Sequence, residues 1–164
     1  MNITDAAVHE LDMLKEHEKA ISRLYATYAH RFSQDRDFWM GLSQEEDQHA
    51  RWIELLQTKM EEEPSGLIAD RFPTVAISYS IRCINKLIEN VNQPDLTPVN
   101  ALSTALDIER ALLENRYFDV FASDGAEVRR VLELLAEGTK AHIEKVQRAW
   151  RSSKPTTDHQ QSPA

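Results

Sequence analysis

Glu46 and His49 are three residues apart. That spacing sets two side chains about 60° apart around an α-helix and about 4.5 Å along it, so both can reach one ion. Carboxylate oxygen combined with imidazole nitrogen suits iron, manganese or zinc. A Glu-x-x-His pair arises readily by chance in a glutamate-rich helical chain, so the direction in which the two residues face decides its meaning. Apolar residues recur around them at Trp39, Leu42, Ile53, Leu56 and Met60, and Glu46 and His49 fall into the gaps of that row. Three other rows are interrupted in the same way. Glu18 stands among Ala7, Leu11, Leu14, Ile21, Tyr25, Tyr28 and Phe32, and Glu109 among Leu102, Leu106, Leu113, Tyr117 and Val120. Thr139 and His142 fill the gap in a row made by Val128, Leu132, Leu135, Val146 and Ala149. Helical periodicity turns each of these polar residues toward a core. For Glu109 a second apolar face, through Ile108 and Leu112, leaves a boundary position as the alternative.

An unpaired charge in a core costs several kcal/mol, against a net domain stability of about 5–15 kcal/mol. Three inward glutamates must therefore share protons, meet water, pair with the two histidines or bind a metal. A metal ion satisfies most of these groups at once.

The elements that would position them are helical. The spacing predicts a first helix from about Asp5 to Phe32, a break at 31–35, and a second helix from Ser33 or Asp35 that ends before Pro64. A hinge that short makes the two an antiparallel pair. The stretch from Pro64 to about Leu96 exceeds an ordinary bundle connection, so it is expected to cross the bundle. It should carry its own helix between Pro73 and Pro94, through Val75, Ile81, Ile84, Leu87, Ile88 and Val91. Thr97 and Pro98 form a start signal, N-cap then first helical position, for a helix reaching Phe121. A last helix opens after Ser123 or Asp124, with Glu127 completing a capping box, and runs to about Arg151. The expected fold class is all-α: one domain over 1–151 with four bundle helices and a long crossover between the second and third, then a polar, disordered tail over 152–164.

Composition narrows the function. A net charge of −8 opposes a phosphate backbone, and Lys145, Arg148, Arg151 and Lys154 read as cations at a helix C-terminus, so no nucleic-acid partner is expected. The acidic N-terminal stretch and the lack of a long apolar run point to a cytoplasmic protein with no membrane association. The lone Cys83, expected to pack in the crossover helix, excludes a rubredoxin-type iron site built from paired cysteines. Gly41, Gly66, Gly125 and Gly138 stand alone and make no phosphate loop. His9, His17, His30 and His159 lie off the inward rows and read as surface residues. Phe38 and Trp52, off the main stripe of helix two, suggest packing on the crossover helix or a homodimer.

The residues together resemble the ferritin-like superfamily and, within it, the rubrerythrin-like proteins. Glu18 with Tyr25 is similar to the first-helix glutamate and its aromatic neighbour; Phe38, Trp39, Leu42, Glu45, Glu46, His49 and Ala50 are similar to the second-helix motif; Glu109 resembles the third-helix glutamate. The resemblance implies a four-helix bundle around a di-iron carboxylate site, with one Glu from each of two helices and Glu-x-x-His from each of the others. It assigns Glu18, Glu46 and His49 to a first ion, and Glu109, His142 and a share of Glu46 to a second. Helix four departs from the pattern, because the glutamate expected three residues before His142 is Thr139. Glu137 and Glu144 each stand two residues from a motif position, about 200° around the helix, and point elsewhere. The resemblance implies an iron protein, with one or two ions, that oxidises ferrous iron or reduces peroxide or dioxygen using a separate electron donor. Zinc and manganese are alternative ions. Tyr25, Tyr28 and Tyr117 are candidates to hydrogen-bond the carboxylates. No catalytic residue is assigned. Thr139 favours the alternative, a non-catalytic ferritin-like module that binds a single ion or none.

Overall fold

Apolar side chains that recur every three or four positions need one buried stripe, and helices supply it among the described residues. The computed structural model describes residues 3–62, 74–114 and 126–153. Among them α1 spans Ile3–Arg31, α2 Arg36–Glu62, α3 Thr74–Glu89, α4 Pro98–Glu114 and α5 Ala126–Ser152, with a single 3₁₀ turn at Ser33–Asp35 and no strand. Val120, Phe121, Ser123, Asp124 and the tail from 154 onward lie outside the described residues, so the expected end of helix three and the capping box of helix four do too.

The hinge between α1 and α2 is tight. Phe32 N–H closes α1 on the Tyr28 carbonyl at 2.8 Å, and Asp35 N–H donates to the Phe32 carbonyl at 3.0 Å. The two helices then run antiparallel. Gln57 Nε2 donates to the Val8 carbonyl at 3.2 Å, Glu18 meets His49 at 3.6 Å, Ser22 and Ser43 share a buried hydrogen bond of 3.1 Å, and the Tyr28 and Trp39 rings lie 4.9 Å apart. Partner numbers fall along α2 as they rise along α1. The same order relates α4 to α5, where Trp150 Nε1 donates to Ser103 at 3.0 Å and His142 approaches Glu109 at 3.4 Å.

Helix α4 begins as its start signal requires. Thr97 Oγ1 accepts from Asn100 N–H at 3.2 Å, and Asn100 Oδ1 accepts from Thr97 N–H at 3.2 Å, a reciprocal cap with asparagine in the place usually held by glutamate or glutamine. Its buried face is broader than the sequence row. Ala101, Ala105 and Leu112 are buried beside Leu102, Leu106 and Glu109, whereas Leu113 is only partly covered. Two rows are engaged because α4 meets both α1, through Tyr25 and Glu109, and α5.

Helix α3 packs on α1 through Ile77 and Ile84, and this contact overturns two expectations. His17 is a buried residue, its Nε2 within 2.8 Å of the Ser80 hydroxyl, because α3 covers a face of α1 that its main stripe leaves open. Burial pushes its imidazole below the usual value. Cys83, expected to pack, is exposed.

At the hinge end, Trp39 is fully buried among Tyr25, Tyr28 and Phe38, with ring centroids 5.6, 4.9 and 5.2 Å away. Large buried rings dominate core energetics. Phe38 and Trp52, the basis of the dimer expectation, are partly buried within the chain, against Trp39 and His49 respectively. Among the described residues no helix is long and apolar enough to cross a membrane.

Candidate metal centre

The middle of the core is polar. Glu18 from α1, Glu46 and His49 from α2, Glu109 from α4, and Thr139 and His142 from α5 are all buried. Each occupies a position that helical periodicity turns inward, and the hinge and the antiparallel pairings bring them to one level. Glu109 is fully buried, so the boundary alternative does not apply to it.

Glu46 sits between the two histidines. Its Oε2 accepts from His49 Nδ1 at 2.9 Å, and its Oε1 lies 2.7 Å from His142 Nδ1. Glu18 flanks the cluster on one side, with Oε2 3.6 Å from His49 Nδ1; Glu109 flanks it on the other, with Oε1 3.4 Å from His142 Nδ1. The imidazole rings stack at 5.2 Å with 27° between their planes. Ligand atoms of Glu46, His49 and His142 all fall within 4.8 Å of one another. Tyr25 donates its hydroxyl to Glu109 Oε1 at 2.7 Å, and burial together with the Glu109 charge pushes this phenol well above its usual value.

Charge balance in this cluster rests on the histidines. Burial drives the Glu18 carboxyl up to about 7 against the pull of His49. Burial alone would lower His49, but the pull of the Glu18 and Glu46 carboxylates outweighs it and carries the imidazole up to about 10. His142 is raised in the same way, with Glu109 and Glu46 overcoming burial, to about 11. Without an ion, both rings hold their protons at neutral pH and offset the carboxylates.

That balance leaves hydrogen bonding incomplete. Both oxygens of Glu18, Oε1 of Glu46, Oε2 of Glu109 and Nδ1 of His142 are buried and make no hydrogen bond. The 2.7 Å approach of His142 Nδ1 to Glu46 lacks hydrogen-bond alignment. Buried polar atoms are nearly always hydrogen-bonded, so a concentration of exceptions in one place calls for a cause. Four carboxylate oxygens and one imidazole nitrogen gathered in one place without hydrogen bonds fit a cation held among them. The donor set therefore suits a metal ion.

Three features of this region are not in the sequence rows. Glu45 reaches His142 Nε2 at 2.7 Å from the outside, and Lys145 Nζ lies 2.6 Å from both of its oxygens. Burial would raise the Glu45 carboxyl, but Lys145 and His142 hold it below its usual value. Gly138 lies so close to His49 that a Cβ there would stand 2.3 Å from Nε2. A cleft of about 280 Å³ between α2 and α5 is lined by Glu45, His49, Trp52, Gly138, His142 and Lys145. The i, i+3 spacing of His142 and Lys145 marks one helix face in hindsight; no signal in the sequence marks Gly138. Glu137 and Glu144 are exposed on α5, and Tyr117 lies outside the described residues.

Comparison of the chain with family models, curated proteins and solved structures finds no match. The functional reading rests on the site.

Proposed function

We propose that this chain is an iron-binding redox protein of the ferritin-like, rubrerythrin type. The observation that supports it is the set of buried carboxylate and imidazole atoms from α1, α2, α4 and α5 that converge without hydrogen-bond partners. Glu18, Glu46 and His49 would hold one ion, and Glu109, His142 and the second oxygen of Glu46 another. Ferrous iron held there would supply the electrons for reduction of dioxygen or peroxide, and a separate donor would replace them. The chain's own residues bind and orient. Tyr25 fixes Glu109 through Oε1, the oxygen that also lies 3.4 Å from His142 Nδ1, and leaves Oε2 without a hydrogen bond. Burial excludes bulk water, which strengthens the hold of each carboxylate on a cation.

Thr139 favours a second reading. It is buried in the inward row of α5, and its hydroxyl supplies neither the charge nor the second oxygen of a glutamate. The second ion is then held more weakly, and the chain becomes a single-ion or non-catalytic module.

The deciding experiment is anaerobic reconstitution with ferrous iron, metal analysis per chain, and optical spectra on adding oxygen or peroxide. The redox reading expects two irons per chain and the absorption of an oxo-bridged ferric pair. A single, spectroscopically silent ion, or no bound metal, rejects the redox reading and supports the second.

A further inference from the structure

We infer that Glu45 is the positioning residue for His142, an inference that rests on the metal-binding reading above. His142 is 1% exposed, and each of its nitrogens faces a carboxylate: Nδ1 faces Glu46 and Glu109 inside the core, and Nε2 faces Glu45 at 2.7 Å across the α2–α5 cleft. A neutral imidazole carries one proton, and the nitrogen without it is the one that binds a cation. A carboxylate on Nε2 keeps the proton on the outer nitrogen and leaves the Nδ1 lone pair directed at Glu46 and Glu109. Glu45 also fixes the plane of the ring.

Lys145 makes the arrangement tolerable. Its ammonium contacts both Glu45 oxygens at 2.6 Å, so the outer carboxylate adds no net charge to a cluster that already holds Glu18, Glu46 and Glu109. Glu45 itself is 44% exposed, which separates this role from a structural one. The exposed Glu45–Lys145 pair contributes only about 0–1 kcal/mol to stability, and with Glu45 truncated the α2–α5 cleft gives water access to His142 Nε2, so loss of Glu45 should leave the fold in place. The other ligand histidine is held differently. The Nε2 edge of His49 lies against Gly138, and Trp52 stands 5.4 Å from its ring. Packing sets His49, whereas a carboxylate sets His142.

The test is titration of the full-length, chelator-stripped chain with cobalt(II), read both as affinity and as the visible absorption of the bound ion. Glu45→Ala is expected to weaken cobalt binding about 10–100-fold and to change the spectrum. The melting temperature of the ion-free protein should move little. Glu45→Gln, whose amide oxygen still accepts the Nε2 proton, should recover most of the affinity. Lys145→Ala, which leaves the Glu45–His142 bond in place, should stay within about threefold of the parent chain on the same account of that bond. Should Glu45→Ala not fold, Glu45→Ser carries the same comparison. A Glu45→Ala chain that binds cobalt like the parent, with the same spectrum, overturns the role of Glu45 alone. A parent chain that binds no cobalt overturns this inference together with the metal-binding reading beneath it.

Discussion

Glu18 and Tyr28 are inward-facing residues of the same helix, ten positions apart, and their surroundings are built on opposite terms. Around Tyr28 the packing is closed: Trp39 and Phe32 lie 4.9 and 6.1 Å from its ring, in edge and tilted arrangements that aromatic quadrupoles favour. Around Glu18 neither carboxylate oxygen makes a hydrogen bond, and the nearest imidazole nitrogen is 3.6 Å away. The first region gains stability from every group it buries. In the second, carboxylates are buried at a cost, and unlike charges only partly offset it. The aromatic end can therefore carry a polar centre that does not stabilise the ion-free fold. Such a centre persists when its groups serve a function, and a stability-for-function exchange is the physical form of the proposed role.

Substitutions at the two ends of this comparison should have opposite signs. The largest effect is expected for Trp39→Ala, which removes the ring shared by Tyr25, Tyr28 and Phe38 and should cost about 3–5 kcal/mol in chemical denaturation. A loss under about 1 kcal/mol would mean that the hinge end does not hold the helices together. Next comes Glu18→Met, which exchanges an unbonded buried carboxylate for an apolar side chain of similar reach. In excess chelator it should stabilise the chain by about 1–4 kcal/mol, while weakening metal uptake. Destabilisation by Glu18→Met in chelator would show that Glu18 is part of the packing of the core, and the contrast between the two regions would fail.

Much of this contrast was legible in the amino-acid order. Period and polarity alone turned Glu18, Glu46, His49 and His142 inward, and Thr97–Pro98 marked the start of α4, because a single helix carries both signals in its own residues. What escaped depends on a second helix. His17 looked like a surface residue until α3 was found over it, and Cys83 looked buried until α3 was found to present it to solvent. Leu112, not Leu113, is fully buried because α4 turns two rows toward its neighbours. Glu45 is adjacent to Glu46 but points out of its row, and it matters only because α5 brings His142 and Lys145 across the cleft. The fit of Gly138 against His49 is a close approach between α5 and α2, which no local pattern encodes.

The smallest expected effect on stability is the one that isolates the site most cleanly, and it comes from two glycines. Both Gly41 in α2 and Gly138 in α5 lie inside helices, where replacing glycine by alanine ordinarily stabilises by about 0.5–1 kcal/mol through backbone entropy. At Gly41 an added Cβ meets nothing within 4 Å, so Gly41→Ala should deliver that gain and leave metal binding unchanged. At Gly138 the same methyl group would stand 2.3 Å from His49 Nε2 and 2.7 Å from Cε1. His49 has little room to yield, with Trp52 at 5.4 Å, His142 stacked at 5.2 Å and Glu46 bonded to Nδ1. Gly138→Ala should therefore forfeit the entropic gain and weaken cobalt affinity, because the side chain displaced is one of the proposed ligands. Paired denaturation and cobalt titrations of the two variants check this. Equal stabilisation by both, with affinity preserved, would show that His49 is free to move, and would remove the close α2–α5 approach from the account of how this centre is held.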